Sequence, residues 1–113
     1  MIRTDASQQI GSGHVFRCLT LAETLRESGV TIEFITRNHL GNLNNQIRNK
    51  GIKVNLLPDS IVKSKITLEG YEQWLNVTQE EDAEETIQSL AGEKIDWLII
   101  DHYALDYKWE EKL

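Results

Sequence analysis

The chain has one cysteine, Cys18, one proline, Pro58, and one methionine, Met1. A single cysteine excludes a disulfide framework and any cysteine-based metal site, and an unpaired thiol suits a reducing compartment, so a cytoplasmic location is expected. No apolar run approaches the ~20 residues that span a bilayer. Residues 1–15 also lack the basic head and apolar stretch of a signal peptide, so neither membrane insertion nor export is expected. Positive charge is scarce as well: 12 Lys and Arg stand against 18 Asp and Glu, a net charge of −6. With no dense basic cluster anywhere, binding to nucleic acid or to an anionic membrane surface is not expected. Low-complexity tracts are missing too, which excludes a disordered chain.

What remains is ordinary globular usage, 40% hydrophobic and 27% charged over 113 residues, enough for one core and one domain. Apolar spacing alternates between the periods of strand and helix. Ile2 to Thr4 reads as a short strand ending at Asp5, followed by a Ser/Gln/Gly turn. From Val15 the apolar residues fall at 15, 18, 19, 22 and 25, one buried helical stripe that Ser28-Gly29 ends. "VTIEFIT", 30 to 36, predicts a strand, "LGNLNNQIRNKG" a shorter helix stopped by Gly51, and "IKVNLL" a strand closed by Pro58. Residues 58–77 carry weaker signals, with a turn or short helix around Trp74.

Thr78 and Glu81 make a capping box for a helix expected to bury Ala83, Ile87, Leu90 and Ala91 before Gly92. The acidic run "EEDAEE", 80 to 85, reads as a solvated helix face. "IDWLII", 95 to 100, is nearly continuous apolar sequence, as for a strand covered on both faces. The alternation predicts an α/β fold: a three-layer domain with a mostly parallel sheet and right-handed crossovers. "LDYKWEEKL" starts as a helix without a C-cap, so the chain is expected to be the N-terminal part of a longer protein.

In such a sheet ligands bind where strand carboxyl ends meet the following loops. Two of these ends carry chemistry-bearing residues. The first strand delivers Asp5 and the turn Gly11-Ser12-Gly13-His14; "IDWLII" delivers Asp101, His102 and Tyr103. Were the strand order 3-2-1-4, both groups would line one crevice. A dinucleotide fingerprint fails, because Phe16 stands where the third glycine belongs and Thr36-Arg37 replaces the acidic ribose contact. A P-loop fails for want of Gly-Lys-Ser/Thr. Two glycines ahead of a helix N-terminus still admit a ligand close to backbone N–H groups and favour negative charge.

At that first helical turn the macrodipole disfavours an imidazolium, so His14 is a candidate general base; the competing reading is a surface histidine at a helix start. Asp5 and Asp101 have alternative readings as turn formers or caps, and His102 and Tyr103 as packing at the sheet edge. Arg17 either reaches a phosphate or is merely solvated. Cys18 lies on the buried stripe, and His39, in a polar loop, is assigned no function.

"RTDASQQIGSGHVFRCLTLAETL" together with "DWLIIDHYALDYKWEE" resembles the N-terminal half of the UDP-sugar hydrolases of pseudaminic acid biosynthesis, also known as spore coat polysaccharide biosynthesis proteins. The resemblance covers residues 2–29 and 95–110. It implies a GT-B architecture of two Rossmann-like domains, of which residues 1–113 would be the first, with the C-terminal nucleotide-binding domain missing. It implies hydrolysis of UDP-2,4-diacetamido-2,4,6-trideoxy-β-L-altropyranose to UDP and free sugar, with no metal or other cofactor. The family's general base maps onto His14. Gly11 and Gly13 would let the chain pass close to the sugar and diphosphate, and Asp5, Asp101, His102 and Tyr103 would line the sugar side; Ser12 and Arg17 are further candidates for binding the substrate. A GT-B glycosyltransferase and a non-catalytic nucleotide-sugar binding domain are the alternative readings.

Overall fold

Residues 1–6, 11–39, 41–58, 75 and 77–113 are described by a computed structural model of the chain. The first part of the Ser/Gln/Gly turn, residues 7–10, and the turn or short helix expected around Trp74 lie outside them. Four strands form one parallel sheet: β1 (Ile2–Thr4), β2 (Glu33–Arg37), β3 (Lys53–Leu57) and β4 (Ile99–Asp101), in the order β3-β2-β1-β4. Register runs Ile2 against Phe34 and Ile99, and Arg3 against Ile35 and Ile100. The chain therefore builds outward from β1 to β3, then crosses back to lay β4 on the other side of β1. This is an α/β, Rossmann-like sheet, and its switch point falls between β1 and β4.

The helices divide between the two faces. Helix α1 (Gly13–Glu27) buries Val15, Cys18, Leu19 and Ala22 against Ile2 and Phe34, and α2 (Asn44–Asn49) adds Ile47 to the same core. The stripe predicted for α1 is the one observed. Side chains alternate along a strand, so Arg3 and Arg37 point to the opposite face. There they meet α3 (Gln79–Leu90) and α4 (Tyr107–Lys112), whose apolar cluster is built on Leu75, Val77, Ala83, Ala104, Leu105 and Trp109. Thr78 caps α3 by accepting the Glu81 N–H at 3.2 Å, as its capping box predicts. Asp106 caps α4 through the Lys108 N–H at 2.9 Å.

Three expectations need correction. Helix α3 turns Asp82, Ala83 and Thr86 inward, while Ile87 is 41% exposed, Leu90 is half-buried and Ala91 is exposed. The reason is ionic: Asp82, in the run read as solvated, is wholly buried between Arg3 and Arg37, and satisfying those charges fixes the rotation of the helix. Within "IDWLII" only the end is strand, and Trp97 is 80% exposed, so that segment is not covered along its length. Finally, β2 starts at Glu33 and α2 spans six residues, both shorter than their sequence patterns.

Candidate active site

The switch point brings His14, from the first turn of α1, against Asp101, the last residue of β4. Nδ1 of His14 lies 2.7 Å from Oδ1 of Asp101. A carboxylate only accepts, so Nδ1 is the ring nitrogen that donates to it, and in the Nδ1–H tautomer Nε2 is the lone-pair nitrogen. Nε2 makes no hydrogen bond among the described residues. Arg17, one helical turn further on, donates to Asp101 from Nε at 2.9 Å and from Nη2 at 2.7 Å. Its Nη2 also stands 3.1 Å from His14 Nδ1, but both are donors there and both point their protons at Asp101. Burial would raise the Asp101 carboxyl; hydrogen bonds from Arg17 and His14 outweigh it and hold the group below the ordinary carboxylate range. Asp101 is thus an ionised acceptor that fixes the imidazole.

Tyr103 stands edge-on to the His14 ring, with centroids 4.7 Å apart and planes at 89°, and is 63% exposed. Ahead of the helix, Gly11 has φ +80°, a left-handed conformation that side chains other than glycine rarely adopt. A β-carbon would meet nothing within 4 Å at either Gly11 or Gly13; the two differ in backbone, since Gly13 opens α1 without a positive φ. Ser12 occupies the N-cap without a side-chain cap, so the helix start keeps donors of its own beside His14. Cys18 belongs to the buried stripe, and burial with the nearby Asp101 carboxylate pushes its thiol up to about 12, which makes it inert as a nucleophile.

Asp5 takes a different place from the one its position at the end of β1 implies. Its side chain has no solvent exposure. Arg3 donates to it at 2.7 and 3.0 Å, the Arg37 backbone N–H at 2.6 Å, His39 Nε2 lies at 3.2 Å and His102 Nε2 at 2.9 Å. Burial would raise this carboxyl, yet the Arg3 charge and the two histidines hold it well below the usual range. Asp5 is a buried tie between strand ends rather than a surface contact. His102 is buried with it; its Nδ1 accepts the Ala104 N–H at 3.0 Å, so both ring nitrogens are used. Beneath lies the rest of the ionic layer: Arg3 and Arg37 each reach Asp82 Oδ2 at 2.6 Å, and Trp109 Nε1 donates to Asp82 Oδ1 at 2.8 Å.

Of the sequence candidates, His14, Arg17, Asp101 and Tyr103 converge at one surface site, with Gly11, Ser12 and Gly13 at its edge. Asp5 and His102 lie beneath it. His39 joins them there, although its sequence context, a polar loop after β2, gave no sign of burial. A cavity of about 960 Å³ opens at the other end of the sheet, lined by Leu25, Val30, Ile32, Ile95 and Trp97, away from these groups. Among the described residues no helix is long and apolar enough to cross a membrane. Comparison with protein-family models and with curated proteins finds no match for this chain.

Proposed function

We propose that this chain is the N-terminal, base-bearing half of a cytoplasmic GT-B hydrolase acting on a UDP-linked diacetamido-trideoxy sugar in nonulosonic acid or surface polysaccharide biosynthesis. The observation that carries the reading is the 2.7 Å contact from Asp101 to His14 Nδ1, which leaves Nε2 as the basic nitrogen. In the proposed step Nε2 takes a proton from water as the water oxygen bonds to the anomeric carbon. The bond from that carbon to the UDP oxygen breaks, and the electron pair leaves with UDP. Direct displacement of this kind needs room between base and sugar for one water. The open space at Gly13 and the N–H groups at the start of α1 suit a sugar diphosphate beside the base. Arg17, 66% exposed at its side chain, keeps Asp101 ionised and adds positive charge at the rim. A C-terminal domain in cis would supply the uridine contacts and the facing wall.

Product analysis with the full-length protein and UDP-2,4-diacetamido-2,4,6-trideoxy-β-L-altropyranose tests this reading. Equimolar UDP and free sugar are expected. A sugar found on an acceptor glycan, or substrate bound and recovered intact, would overturn it in favour of a transferase or a binding domain.

A further inference from the structure

Asp101 orients His14, and the residue that follows it in the chain, His102, is held at both nitrogens. Nε2 donates to the buried Asp5 carboxylate at 2.9 Å and Nδ1 accepts from the Ala104 backbone at 3.0 Å. Asp5 in turn is fixed from the other strands: by Arg3 on β1, by the Arg37 N–H at the end of β2, and by His39 just beyond it. One carboxylate therefore ties together the carboxyl ends of β1, β2 and β4. Asp101 is the last residue of β4, in register with Thr4 of β1, and its side chain engages His14, the Cys18 thiol at 3.5 Å and Arg17, the last largely in solvent; beyond it the chain is next fixed at His102. We propose that His102 is a positioning residue: through its hydrogen bond to Asp5 it sets the backbone of Asp101 and Tyr103, and so the tautomer and orientation of His14. It touches no substrate. This rests on the reading of His14 as the base, and it assigns to His102 and Asp5 a role beneath the site in place of the sugar contact that the sequence resemblance implies.

A misplacement of about 1 Å in a catalytic group costs up to about 10²-fold in rate, which sets the expected size. Two polar replacements separate the two hydrogen bonds of His102. The amide nitrogen of glutamine overlays Nε2 and still reaches Asp5. Asparagine is too short for that and overlays only the Nδ1 side. In the full-length protein His102→Gln should keep kcat within about 3-fold, while His102→Asn should lose roughly 10- to 10²-fold in kcat with KM changed less than about 3-fold. Imidazole ¹⁵N spectra give a readout that does not depend on turnover. His14 should show a single Nδ1–H form in the unaltered protein and in His102→Gln, and a mixture of tautomers in His102→Asn. Equal kcat for the two variants, or an unchanged His14 spectrum in His102→Asn, would overturn the proposal. A His14→Ala variant run alongside keeps the two ideas apart: full activity there would overturn the base, whereas the His102 result bears on positioning alone.

Discussion

Eighty-seven residues separate His14 from Asp101 in sequence, yet their side chains meet at 2.7 Å because β1 and β4 are neighbours in the sheet. The consequence is a defined tautomer, and it can be broken without changing the shape of the site. Asp101→Asn keeps the outline but offers an amide in place of an obligate acceptor, so His14 is no longer held with its proton on Nδ1. The expected loss is about 10²- to 10⁴-fold in kcat with a small change in KM, by analogy with the same replacement in a Ser-His-Asp triad. Steady-state kinetics check it, and a loss confined to KM would instead mean that Asp101 binds the sugar.

The two glycines of the turn should separate cleanly. At Gly13 a β-carbon meets open space in an ordinary helical conformation, so Gly13→Ala should leave stability within about 1 kcal/mol. It should nonetheless raise KM or slow turnover if substrate passes there. Gly11→Ala, at φ +80°, should cost about 1–2 kcal/mol of stability in urea unfolding.

Much of this was legible in advance, and the boundary is physical. The stripe on α1 and the Thr78 cap follow from local periodicity and capping chemistry, whereas the strand order is the usual one for such an alternation and no local pattern encodes it. The convergence of His14 with Asp101 follows once the strand order is known. The ionic layer was not legible. Arg3 and Arg37 look like strand-end charges, and Asp82 sits in a run of acids that resembles a solvated helix face. Only their pairing across 79 and 45 residues of chain makes their burial affordable. His39 was missed for the same reason, since nothing local marks the second strand's loop as folded over Asp5.

That layer makes a contrast in stability. Asp82→Ala would leave two buried guanidinium groups without their shared carboxylate and should cost about 3–5 kcal/mol in urea unfolding. Glu80→Ala, two residues earlier, breaks only the exposed pair with Lys112 and should cost less than about 1 kcal/mol. Similar losses in the two variants would contradict the account of the network.

The same carboxylates fix the response to acid. Asp5 and Asp82 both lie below their ordinary value in the folded chain, where the Arg3 charge outweighs the effect of burial. Folding therefore favours their ionised forms. Their stabilisation is complete above the unfolded carboxylate value of about 3.9 and is lost as pH falls through the lower native values. Urea midpoints should hold from about pH 7 to pH 5 and fall steeply below about pH 4. Asp5→Asn should start from a lower midpoint and show a shallower acid fall; a slope as steep as that of the unaltered protein would place the effect elsewhere.

His14 carries the central claim, and kcat of His14→Ala and His14→Gln in the full-length protein, followed across pH, tests it most directly. The account predicts a loss of roughly 10²- to 10⁴-fold in kcat, because proton transfer to Nε2 develops in the transition state, with substrate affinity nearly unchanged. The pH dependence of kcat that a general base imposes on the unaltered protein should be absent from both variants. Near-native kcat in the variants, or weakened binding with undiminished turnover, would contradict it.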